Sequence, residues 1–115
     1  LYGDGTHSRD FTYFDDIADG TVRALKRVGC EIINLGGNKP FELNYAISLI
    51  EKNLGKRCRR RRLKFHKADL KATWADVTKA KKLLGWKSKI SLEEGVKRSV
   101  NWYLDNKSWL KNVTL

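Results

Sequence analysis

The stretch Gly3-Asp4-Gly5-Thr6-His7-Ser8-Arg9-Asp10-Phe11 places one arginine directly behind a loop rich in glycine, carboxylate and hydroxyl groups. Glycines without Cβ let a backbone approach a ligand closely. A guanidinium beside them presents a planar fork of donors that matches a phosphate. Tyr2, just before the loop, offers a flat face on which a base could stack. The alternative for Arg9 is plain structural pairing with Asp10 or Asp16.

A second concentration of chemistry is charge. The chain of 115 residues carries a net charge of +11, unevenly distributed. Residues 1–20 hold Asp4, Asp10, Asp15, Asp16 and Asp19 against Arg9 alone, whereas Lys56–Lys67 contains eight cationic residues and no acid. Such a block attracts polyanions, either nucleic acid or a phosphate-bearing small molecule, or else it keeps a strand edge soluble. Other constellations are weaker. His7, His66, Cys30 and Cys58 lack metal-ligand spacing, so no metal is expected. Asp15 and Asp16 read as helix-capping groups, and Trp74, Trp86, Trp102 and Trp109 as core residues. Two cysteines without ligand spacing point to a reducing compartment, and the cytoplasm is the expected location. No apolar run approaches the roughly 20 residues of a membrane helix.

The elements that must position these groups follow from periodicity. Phe11–Phe14 reads as a strand, followed by a helix capped at Asp15 or Asp16, with Ile17, Thr21, Ala24, Leu25 and Val28 on one face and a stop at Gly29. Glu31–Leu35 reads as a second strand, and Leu43, Ala46, Ile47, Ile50 and Leu54 mark a helix closed by Gly55. Residues 56–65 are expected to be extended, as is the short stretch Thr73–Ala75. A helix capped by Asp76 or Thr78 carries Ala80, Leu83 and Leu84 to Gly85. Ser91-Leu92-Glu93-Glu94 is a capping box opening a last helix that buries Leu92, Val96, Ser99, Val100 and Tyr103, with residues 107–115 as a tail. The whole predicts a small mixed α/β unit of a few short strands and about four helices. The strands are thin for an independent sheet, and the chain opens on Leu1, so the expectation is a fragment.

Four stretches share one resemblance. YGDGTHSRDFTYFDDIADGTVRAL, EIINLGG, ADLKATWADVTKAKKLLGW and SLEEGVKRSVNWY are similar, in order and spacing, to the C-terminal portion of extended short-chain dehydrogenase/reductases. Within them the chain most resembles the NAD-dependent epimerase/dehydratase family, in particular its UDP-glucuronate and UDP-glucose 4-epimerases. The resemblance covers residues 1 to about 105 and implies the C-terminal portion of a Rossmann-type fold. It assigns Arg9 to the nucleotide diphosphate, Asp69 to the ribose hydroxyls, Tyr2 to packing near the base, and Phe11 to the border of the sugar site. His66 stands where the family has Arg or Gln touching phosphate, so phosphate affinity would rise as pH falls. Ala68 replaces a family glycine and Lys71 a family proline.

The family's catalytic parts lie elsewhere. Gly36-Gly37 lacks the third glycine of a dinucleotide loop, and Pro40 follows closely. Tyr103 and Lys107 are the one pair with Tyr-x-x-x-Lys spacing, but they sit at the end of the last helix, where the family holds no catalytic residue. The expectation is therefore a single region, residues 1–115, that binds a UDP-sugar without catalysing a reaction. It holds no cofactor itself, NAD being implied for the full-length enzyme. The expected partners are an N-terminal Rossmann portion and, by resemblance, a second copy in a homodimer. The alternative is a basic module using Lys56–Lys67 for nucleic acid or protein.

Overall fold

A computed structural model describes residues 1–27, 29–65 and 69–113. The described elements are β1 (Ser8–Arg9), α1 (Phe14–Arg23), β2 (Phe41–Glu42), α2 (Leu43–Leu54), β3 (Ala72–Thr73), α3 (Thr78–Leu84) and α4 (Leu92–Leu110). The sheet has the order β2-β1-β3, with β1 antiparallel to β2 and parallel to β3. The mixed α/β class with four helices is as expected.

The strands differ from the expectation. Phe11–Phe14 is not a strand: pairing stops at Arg9, and Phe14 already opens α1. The cause is Asp10. Its carboxylate accepts the amides of Gly37 (2.8 Å), Asn38 (3.0 Å) and Ala75 (3.1 Å), so a side chain takes over the neighbouring backbone donors where the ladder ends. Glu31–Leu35 is likewise not a strand, because among the described residues no adjoining strand lies beside it. Its alternation is still visible, with Ile33 and Leu35 packed inward and Ile32 85% exposed.

Two apolar clusters form the core. Val77, Ala80, Leu84 and Trp86 hold one together, with Ile33 and Leu35 against them. Ala46, Leu49 and Leu92 hold the other, joining α2 to α4 with Phe11 and Phe41 alongside. Only Trp86 of the four tryptophans is buried; Trp74, Trp102 and Trp109 are at least half exposed, against the core expectation. Three of them lie where no described element covers them, on the sheet edge and the distal part of α4.

α1 takes Tyr13 as N-cap without a side-chain cap, and Asp15 and Asp16 sit in the first turn, where the helix dipole favours acids. The helix ends at Arg23, well before Gly29, with Ala24 as its C-cap; the Arg23 side chain pairs back to Asp19 (3.0 Å) and donates to the Gly85 carbonyl (3.0 Å). Thr21, Ala24 and Leu25 are exposed rather than part of a buried stripe, and Val28 lies outside the described residues. Gly20 lets α1 settle on the core: a Cβ there would stand 2.8 Å from Leu35 and 3.0 Å from the Trp86 indole nitrogen.

The remaining helices follow the sequence reading. Gly55 closes α2 in the left-handed region (φ 64°), and the Lys56 amide returns to the Glu51 carbonyl at 3.2 Å. The N-cap of α3 is Val77, not Asp76 or Thr78, and it makes no side-chain cap bond; Asp76, one residue ahead, accepts the Thr78 amide (2.9 Å) and hydroxyl (2.6 Å). Ser91 caps α4 by accepting the Glu94 amide at 3.2 Å, but the Glu94 carboxylate pairs forward with Arg98 (2.7 Å), so only one arm of the box forms. α4 continues to Leu110 through the expected tail, because the Asn106 amide bonds the Trp102 carbonyl (2.8 Å) and its oxygen receives the Trp109 indole N–H (2.9 Å). Ser99 and Tyr103 on α4 remain exposed.

Candidate nucleotide-sugar site

β1 carries Arg9 between β2 and β3, and both terminal nitrogens of its guanidinium have protein partners. One terminal nitrogen donates to the carbonyls of Ser8 (2.8 Å) and Leu70 (2.8 Å), and the other forms an ion pair with Asp69. Arg9 is thus partnered by Asp69, 60 residues away, and not by Asp10 or Asp16. Arg9 also borders an open groove of about 550 Å³ shared with Asp10, Asn34, Gly36, Thr73 and Trp74. A cationic side chain held in place by backbone carbonyls at the mouth of a polar groove is suited to an anion.

The other residues expected at the site are distributed differently. Tyr2 is 55% exposed and forms a parallel bridge with Leu63, beside the basic segment. Phe11 lines a separate apolar cavity of about 390 Å³ between α2 and α4, with Ile50, Leu54, Val96 and Tyr103. His66 lies outside the described residues, as do Lys67 and Ala68. The structure therefore brings Arg9 and Asp69 together and sets Tyr2 and Phe11 on other surfaces.

The opening glycines are occupied by the protein itself. Asp4 accepts the Thr6 amide (3.0 Å) and hydroxyl (2.7 Å), which holds its carboxyl below the usual carboxylate value. Gly5 is buried at φ 85°, and a Cβ would fall 2.4 Å from the Asn44 side chain, whose amide group bonds the Asp4 carbonyl at 3.0 Å. Gly36 is similarly committed: a Cβ would meet Ala75 at 2.5 Å and Asp10 at 2.8 Å. The Gly36-Gly37 turn thus packs on a carboxylate and leads into a loop rather than a helix, which does not suit a dinucleotide pyrophosphate.

Two aspartates that the sequence reading took only as alternative partners of Arg9 or, for Asp16, as a helix cap organise the surroundings. Asp10 ties β1 to residues 37–38 and 75, as described above. Asp16 is 5% exposed and accepts the Ser88 hydroxyl (2.8 Å) and the amides of Lys89 and Ile90 (2.9 Å each), while its own carbonyl receives the Trp86 indole N–H (2.9 Å). Burial pushes its carboxyl upward, and the three donors outweigh that, so it rests below its usual value. Neighbouring aromatic and acidic residues were the signal available, but a capping role accounted for them too easily.

Residues 1–99 match the family model for GDP-mannose 4,6 dehydratase. The chain is 55% identical over 114 residues to a UDP-glucuronate 4-epimerase of Thermodesulfobacterium geofontis, covering 98% of this chain and 35% of that protein. It superposes on the UDP-glucuronic acid 4-epimerase of Bacillus cereus in complex with UDP-glucuronic acid and NAD with a TM-score of 0.82 at 39% identity, covering 91% of this chain and 34% of that one. The UDP-glucose 4-epimerase of Thermotoga maritima with UDP-glucose gives a TM-score of 0.85 at 31% identity, covering 93% and 35%. The chain belongs to the GDP-mannose 4,6 dehydratase family of extended short-chain dehydrogenase/reductases, as the four motifs implied. It spans about a third of the length of the relatives it matches. No described helix is long and apolar enough to cross a membrane.

Proposed function

We propose that residues 1–115 form the sugar-nucleotide-binding region of an NAD-dependent epimerase, with Arg9 as the diphosphate ligand. The observation that carries this reading is the Arg9 guanidinium, fixed by Leu70 and Asp69 beside the groove. Relatives of known structure hold UDP-glucuronic acid or UDP-glucose, which supports a UDP-sugar as the ligand. A bound diphosphate would take the free edge of the guanidinium, while Asp69, released or retained, would accept from a ribose hydroxyl. Tyr2 and Phe11 contribute to the base and sugar ends only after ordering by the rest of the enzyme, since each faces a different surface here.

NAD belongs, in this reading, to a Rossmann portion that accounts for the remaining length of the relatives. When bound it supplies the hydride acceptor. The described residues do not fit it, because the Gly36-Gly37 turn packs on the Asp10 carboxylate and leads into a loop. The unpaired Glu31–Leu35 segment and the apolar cavity beside Phe11 are the surfaces on which that portion would pack. The test is an assay of the purified chain with NAD and UDP-glucuronate, followed by chromatography of the 4-epimer. No product is expected from this chain alone, and activity is expected when it is fused behind the matching portion of a relative. Product from the chain alone, lost in Tyr103→Phe, would overturn the reading.

A further inference from the structure

The basic segment is not absorbed by the nucleotide-sugar site. Lys56, Arg57, Arg59, Arg61, Arg62 and Lys64 are all exposed, and among the described residues none of them forms an ion pair. Arg60 differs, being paired to Glu51 at 3.2 Å. That pairing and the Cys58 amide (3.0 Å) hold the start of the segment against α2. The far end is held by the N-terminus: the Leu1 amine donates to the Arg61 carbonyl (2.8 Å), Leu63 donates to the Leu1 carbonyl (2.8 Å), and Gly3 donates to the Leu63 carbonyl (2.9 Å). The strip is therefore anchored at both ends with its cations facing solvent. Ten residues reach at most roughly 35 Å, long enough for several phosphates of a linear chain and longer than one diphosphate needs.

Sequence alone showed no aromatic residue interleaved with these arginines. The fold supplies them. Tyr2 is bridged to Leu63 and 55% exposed, and Phe65, packed over Gly3, is 38% exposed. Cations along a track with flat apolar faces at one end suit phosphates and unstacked bases together. No described helix carries these cations as a unit that could enter a duplex groove, and the aromatic faces are useful only to unpaired bases. We infer that the strip from Lys56 to Phe65, completed by Tyr2, binds single-stranded nucleic acid.

The experiment is fluorescence anisotropy of the full chain with a labelled twelve-residue oligothymidylate, with a heparin oligosaccharide of equal charge as competitor. Binding is expected to weaken with salt at a logarithmic slope of roughly −3 to −4, the value for about five phosphates on a single strand. The triple variant Arg59→Ser, Arg61→Ser, Arg62→Ser, which leaves Arg60 and Glu51 intact, should weaken binding at least about tenfold with an unchanged circular dichroism spectrum. Tyr2→Ala should weaken it about fivefold and Tyr2→Phe should restore it, as stacking on an aromatic face requires. No binding at low salt would overturn the inference. So would heparin binding as tight as the oligonucleotide's with no effect of Tyr2→Ala, the behaviour of a simple ion exchanger. The salt slope and the triple-variant result do not depend on whether a UDP-sugar binds at Arg9, whereas Tyr2 is shared with the base end proposed for that ligand.

Discussion

Arg9 illustrates what a residue type reveals and what it hides. Its place after the glycine loop marked it as an anion ligand, and the resemblance named Asp69 as a neighbour in function. No local pattern could show that the two touch, because they are brought together by parallel pairing of β1 with β3 across 60 residues. Asp10 was illegible for the same reason: the amides it accepts belong to loops that only the folded chain brings near. Replacing it by Ala leaves three backbone donors without their partner, two of them part-buried, and should lower stability by about 2–3 kcal/mol, with Asp10→Asn costing less; thermal or urea unfolding measures both. Asp16 makes a pH-dependent contribution. Because its folded-state value lies below the unfolded one, its stabilisation is present above about pH 4 and is lost as pH falls through the depressed value. Asp16→Asn should cost about 1–3 kcal/mol at neutral pH and flatten the acid limb of a melting-temperature profile. Glu51 adds to the same limb, since the Cys58 amide and Arg60 pull its carboxyl down to about 2.

At the scale of elements, helices were readable and strands largely were not, Thr73 in β3 being the exception. The stripe from Leu43 to Leu54 with Gly55 behind it, and Ser91 ahead of Leu92, are local signals that contain their own stop and start. Strand identity needs a partner. Phe11–Phe14 has strand composition, but Asp10 ends the ladder first, and Glu31–Leu35 has strand alternation without a described neighbour to pair with. The length of α4 was underestimated because Asn106 and Trp109 lock its last turns through side chains. Ser91→Ala should destabilise the chain by about 1 kcal/mol, the usual value of one cap, with Glu94→Gln nearly neutral because Glu94 makes no return bond to the cap; chemical denaturation distinguishes the two. Gly20→Val should cost more than either, since its side chain would drive α1 away from Leu35 and Trp86, and a loss of Trp86 fluorescence anisotropy or blue shift would report that separation.

The described residues form two small cores, an apolar cavity open between α2 and α4, and an aliphatic segment that has no strand partner among them. These features agree with a chain that spans a third of its relatives' length, and they explain why the sheet here is only two residues deep. The central claim is that Arg9, positioned by Asp69 and Leu70, receives the diphosphate of a sugar nucleotide. Titration of the isotope-labelled chain with UDP-glucuronate, followed residue by residue by NMR, tests it most directly. The account predicts saturable shifts centred on Arg9, Asp69 and Thr73, and a loss of about 1.5–3 kcal/mol of affinity, roughly ten- to a hundredfold, in Arg9→Ala. Shifts that saturate elsewhere and survive Arg9→Ala, or no shifts at millimolar ligand, would contradict it.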